Sequence, residues 1–244
     1  MFKKSSVSSM RQDDQYKDCA GFTLIEMSIV LIILSLLMGA VLKGQQLINI
    51  SKVKQLESDF RNIPLMIYSY QDKFKTLPGD DSRASSRFSN AETSVKNGDG
   101  EGIITGSWFD FNPTKDNAII WQHLRLAGLM SGETNIASTD YMPKNVLGKA
   151  IDIQSGTESK TASPILDAQG NAIKGSYVIC SRGILGEMAL SLDIRLDDGN
   201  PSSGSLLATE DKETFTNAAP ASTIGTNTAT DIAPNNQYIV CMGV

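Results

Sequence analysis

The sequence is short of the residues on which most enzyme chemistry is built. It has one histidine, His123, with no second imidazole and no cysteine near it in the chain. A zinc centre or a His-based triad therefore has nothing to build on, and the plain reading is a packed or surface side chain. No Ser–His pairing stands out, and scattered carboxylates make no catalytic pair, so the sequence offers little support for an enzyme. Basic charge is scarce too. Against 27 Asp and Glu stand 22 Lys and Arg, giving a net charge of −5, which excludes a chain-wide basic footprint for nucleic acid. Cysteine is limited to three residues: Cys19 near the start, and Cys180 and Cys241 at the ends of two strand-like runs. The latter two read as one disulfide in an oxidising compartment or as two buried free thiols.

What is present is unevenly distributed. Residues 1–21 are polar and charged, with Lys3, Lys4, Arg11 and Lys17 against Asp13, Asp14 and Asp18. From Phe22 to Leu42 the chain is apolar with Glu26 as its one charge, and Lys43 ends the run. At ~1.5 Å per residue the run makes about 31 Å of helix, the thickness of a bilayer core. A secretory signal places its apolar region before the cut; here the polar stretch comes first, so cleavage at Gly21 leaves the apolar segment on the mature chain. Basic residues flank the run evenly (Lys43, Lys52, Lys54 and Arg61 follow it), so charge gives no orientation. The cysteine pair places the long C-terminal part outside the cytoplasm. A carboxylate inside such a run is costly without a partner and marks a functional residue.

Gly21-Phe22-Thr23-Leu24-Ile25-Glu26, followed by the continuous apolar run, resembles the N-terminal processing site of type IV pilins and type II secretion pseudopilins. The resemblance implies a non-enzymatic filament subunit, and a chain this long suits a minor pilin or pseudopilin. It implies cleavage between Gly21 and Phe22 and N-methylation of Phe22 by a prepilin peptidase. It also makes Glu26 the assembly carboxylate, paired with the new amine of its own or a neighbouring subunit. The implied partners are the peptidase, sister subunits and an inner-membrane assembly platform; the implied location is the bacterial inner membrane, with the C-terminal part periplasmic, and then a pseudopilus or surface pilus. The expected fold is α+β: a long N-terminal helix packed on a small antiparallel sheet, with short extra helices and long loops. The expected division is 1–21 leader, 22–42 membrane and assembly half-helix, 43–77 amphipathic half-helix and 78–244 globular part. The alternative is a membrane-anchored periplasmic binding or adhesion module that never polymerises. Where many major pilins carry a proline, this sequence has Lys43, with Gly39 and Gly44 as points of softening.

Beyond the run, Val53, Leu56, Phe60, Ile63, Ile67, Tyr70, Phe74 and Leu77 recur at steps of three and four, one stripe of an amphipathic helix. Pro64 is expected to kink or split it near Asn62. Pro78-Gly79 fits the centre of a type II turn. Residues 118–129 and 185–196 read as short helices, and 175–180 and 237–241 as strands that pair antiparallel. No cofactor is expected apart from two calcium candidates. In Asn97-Gly98-Asp99-Gly100-Glu101-Gly102, Asn97, Asp99 and Glu101 fit the first three ligand positions of an EF-hand loop, but Trp108 stands where the closing Glu belongs. The second is the acidic turn at Asp197-Asp198, a composition that ordinary turns share. Residues 217–236, rich in Ala, Thr, Asn and Ser, read as a surface loop and a weak candidate for partner contacts.

Overall fold

The computed structural model describes residues 21–212, 217–223 and 231–244. The leader with Cys19, apart from Gly21, and part of the 217–236 loop lie outside the described residues. Contacts divide the chain into two units, Met1–Gln46 and Leu47–Val244.

The described part of the first unit is Gly21–Thr23 and the start of helix α1 (Leu24–Phe74). Every residue from Gly21 to Lys43 is exposed. Among the described residues this is the one helix long and apolar enough to cross a membrane. Its polar groups are satisfied within the helix. The Ser28 hydroxyl donates to the Ile25 carbonyl and that of Ser35 to the Leu31 carbonyl, each at 2.8 Å, so neither needs water.

The second unit begins within α1 and is built on it. Val53, Leu56, Phe60, Ile63, Ile67 and Tyr70 are buried, the stripe that the three–four spacing predicts. Pro64 departs from expectation: α1 runs through it without a break. The ring is itself buried, and the turns on either side are held by Phe60, Ile63 and Ile67 in the core, so packing outweighs the one lost backbone bond. Helix α2 (Ala84–Arg87) is a single turn, and α3 (Asp116–Leu126) and α4 (Gly186–Leu196) pack in the same core.

The sheet is antiparallel, in the order β1 (Ile151–Ser155), β3 (Tyr177–Leu185), β6 (Gln237–Gly243), β4 (Leu206–Glu210). Two short strands, β2 (Ile165–Leu166) and β5 (Ala219–Pro220), form a separate parallel pair. The two-residue period sorts the sheet into two cores. Ile153, Tyr177, Ile179, Ala208 and Val240 face α1, α3 and α4; Val178, Cys180, Leu207, Ile239 and Cys241 face Ile165, Ile173 and Ala221. Cys180 and Cys241 stand directly opposite each other in the β3–β6 register and are disulfide-bonded, closing a loop with a sequence separation of 61. A bulge between Ser181 and Ile184, with Gly183 at φ 69°, returns Ile184 to the helix side. Neither sheet edge is bare. Pro143 and Ile104 carbonyls accept from β1, and on β4 the Ala208 N–H donates to Pro201 while its carbonyl accepts from Ser222.

Strands β1 and β4 were not foreseen. Ile151-Asp152-Ile153-Gln154-Ser155 alternates as a strand should, but its polar members are buried beneath a second layer rather than facing water, and five residues give little signal.

Candidate functional site

The head of α1 is a capping box. Thr23 sits just before the first helical residue and Glu26 three places on. The Glu26 Oε2 accepts from the Thr23 N–H at 2.8 Å and the Thr23 hydroxyl at 2.7 Å, and the Glu26 N–H donates to the Thr23 Oγ1 at 3.3 Å. Two of the N–H groups that every helix start leaves unpaired are thereby satisfied, and the carboxylate lies against the positive end of the helix dipole. The Thr-x-x-Glu spacing is itself a capping-box signature in the sequence, beside the charge that singles out Glu26. Gly21 and Phe22 precede the helix in an irregular stretch, with Phe22 82% exposed. The Gly21–Phe22 bond therefore lies one residue ahead of a well-capped helix and is not part of it.

The two acidic loops are arranged differently from the spacing that singled them out. In the first, the carboxylates that gather are not those of the loop pattern alone. The Asn97 Oδ1 accepts from the Ser85 N–H at 2.8 Å, and Glu101 is exposed. Asp99 instead approaches Asp80 and Asp116, which the loop pattern does not contain. Asp80 is buried, and its carboxylate accepts the N–H groups of Gly100, Glu101 and Gly102 at 2.6, 2.9 and 2.8 Å. This is a side chain binding a loop backbone, and the anion is compensated by three donors. Asp116 accepts from the Thr105 N–H and hydroxyl, and burial raises its carboxyl above the ordinary range.

The second loop follows α4. Asp197 and Asp198 are joined there by Asp193, from the last turns of the helix, with one oxygen of each within 4.8 Å of the others. Asp193 is fully buried, and burial, with Asp198 and Asp197 adding to it, pushes its carboxyl up to about 7. It was missed because it lies on the same face as Leu192 and Ala189 in what reads as an ordinary helix.

His123 belongs to the scaffold. The Gly79 N–H donates to its Nδ1 at 2.9 Å and its Nε2 bonds the Lys96 carbonyl at 2.8 Å. A ring that accepts at Nδ1 and donates at Nε2 is neutral, and burial lowers its pKa accordingly. The imidazole clamps the turn after α1, where Gly79 has φ 91° as a type II turn needs, to the loop at Lys96.

Residues 16–42 match the family model described as the prokaryotic N-terminal methylation motif. No curated protein matches the chain. Motif and fold together are consistent with a structural, pilin- or pseudopilin-like protein, a kind that is typically not catalytic.

Proposed function

We propose that the chain is a minor pilin or pseudopilin: a subunit made in the bacterial inner membrane, cut between Gly21 and Phe22, N-methylated on Phe22 and packed into a filament through its N-terminal helix. The observation that carries this reading is the contrast along α1. Under the methylation motif the helix has no cover from its own chain, whereas from Val53 the same helix is the core of a folded unit. An apolar surface of that extent calls for lipid or other copies of itself.

In the uncut chain the Thr23 donors converge on the Glu26 Oε2. Cleavage adds a cationic amine at Phe22, one residue ahead of that box. A carboxylate can accept at several positions, so Glu26 can cap its own helix and bond a neighbour's amine together. Its pairing between subunits would set the axial step, while the apolar helices supply adhesion. The prepilin peptidase and an inner-membrane assembly platform are the partners this reading requires, with residues 78–244 on the periplasmic side.

Mass spectrometry of the mature protein is expected to find methyl-Phe22 at its N-terminus; an uncut chain sinks the proposal. Photocrosslinkers placed between Phe22 and Leu42 are expected to join sister subunits. Crosslinks to lipid alone would favour an anchored binding module that does not polymerise. Glu26→Ala should be cut normally yet enter filaments poorly, and normal incorporation would remove the registry role.

A further inference from the structure

Each of the two sheets has two outer edges, and among the described residues only one of these is open. Both edges of the large sheet carry partners, as above. On the small sheet the β5 side is closed too: Pro220 has no N–H to offer, and its carbonyl accepts the Thr209 hydroxyl at 2.9 Å. The open edge lies across β2, where the chain runs back antiparallel with Ala172 opposite Leu166. The Asp167 N–H donates to the Asn171 carbonyl at 2.9 Å and the Ile173 N–H to the Ile165 carbonyl at 3.3 Å. Asn171 and Ile173 thus turn backbone groups toward β2, and the alternation of an extended chain turns those of Ala172 away from it. Among the described residues the Ala172 N–H and carbonyl have no backbone partner.

The surroundings of this edge are hollow. Ala172, Ile173 and Lys174 line two clefts of about 630 and 330 Å³, and Glu158 and Lys160 also line the larger. Lys160 and Lys174 are exposed and form no ion pair among the described residues, whose paired lysines are Lys75, Lys144 and Lys212. Asp167, in the smaller cleft, is engaged by the N–H groups of Gln169 and Asn171 in its own turn. Glu158 is the remaining opposed charge, so the edge is locally basic on a chain of net charge −5. Lysine on an open edge keeps like edges from joining, because a second copy would bring lysine to lysine. The same lysines favour a strand that carries carboxylates.

We propose that residues 171–174 are a docking edge for an extended acidic segment of a partner protein, added as a strand beside Ala172. Main-chain bonds to Ala172 fix its register, and Lys160 and Lys174 select its charge. At about 3.3 Å per residue the edge spans roughly 13 Å, so the partner contributes a short segment. This edge stands whether or not the chain polymerises.

The test uses the full-length chain in detergent and a blocked seven-residue peptide alternating Val and Asp. Saturable binding is expected, with hydrogen exchange slowed at residues 171–175. Lys in place of Asp in the peptide should weaken binding about tenfold, as should Lys160→Glu with Lys174→Glu in the protein. Two further peptides carry N-methyl groups at alternate residues, one on the odd set and one on the even. A strand pairs with an edge through one set, so at least one of the two should fail to bind. Ala172→Pro removes the donor of the edge. That N–H bonds nothing in the fold, so the unfolding midpoint should stay within about 2 °C while affinity falls about fivefold. If Ala172→Pro does not fold, the N-methylated peptides and the double lysine variant decide. The proposal is overturned by absence of saturable binding, by binding that leaves exchange at 171–175 unchanged, or by a Lys peptide that binds as well. Unchanged binding of both N-methylated peptides means attraction by charge alone and overturns it too. Protection of 171–175 that rises with protein concentration before peptide is added assigns the edge to a second copy, against an acidic partner.

Discussion

His123 and Asp152 show how single buried polar groups set this fold's response to acid. His123 is neutral because one nitrogen must accept from Gly79 while the other bonds Lys96. Burial lowers its pKa, so below about 6.5, the ordinary histidine value, the unfolded chain takes up a proton that the native one resists. Its contribution to stability is therefore complete above that pH and is lost as the pH falls toward the native pKa. His123→Ala leaves the Gly79 N–H and the Lys96 carbonyl without their partner and should cost about 2–4 kcal/mol in denaturant unfolding of the full-length chain. Asp152 works the other way. It is buried, held by the Ile153 N–H at 2.8 Å and the Asn117 amide at 3.4 Å, and burial drives its carboxyl well above the ordinary range. The native state keeps a proton that the unfolded state has released, so this group costs stability as pH rises from about 4 through the native value. Asp152→Asn should unfold later than wild type at neutral pH, with the gap closing near pH 4; equal midpoints at both pH values would contradict the assignment.

At the scale of elements, α1 serves two surroundings with one continuous backbone. From Leu24 to Leu42 it is exposed and carries no charge apart from Glu26, and its later turns carry one buried stripe. Phe60, 1% exposed at the centre of that stripe, should cost about 3–5 kcal/mol as Phe60→Ala. The sheet depends on a covalent link between its two central strands. Cys180 and Cys241 are paired across β3 and β6 and buried on the side away from α1, with Ile165, Ile173 and Ala221. The chain-entropy model gives about 4 kcal/mol for a loop of this length. The double variant Cys180→Ala/Cys241→Ala, which keeps the site apolar, should lose that much in chemical denaturation. A loss under about 1 kcal/mol would show that the strands hold by packing alone.

At the scale of the molecule, the division at Gln46 has a direct consequence. Among the described residues none before Val53 is buried, so removing residues 1–46 takes none of the side chains that make up either core. Residues 47–244, exported to an oxidising compartment, should be soluble and monomeric and unfold within a few degrees of the full-length chain in detergent. Loss of cooperative unfolding would show that the folded unit needs the apolar segment.

The regular features were legible because they are local and periodic: a membrane-length run, a three–four stripe, a Thr-x-x-Glu cap and two β-rich runs ending in cysteine each lie within a few turns of chain. The sequence by itself thus determined the exposed half of α1, its buried half and the motif that begins it. Only the tertiary structure decided that Asp80 binds the Gly100–Gly102 backbone, that Asp99 approaches Asp80 and Asp116, and that Asp193 stands buried beside Asp197 and Asp198. Those meetings depend on where turns and strands deliver side chains from separate segments, and on which of them are sealed from water. A periodic pattern shows which face of an element is buried; it carries no information on what that face will meet.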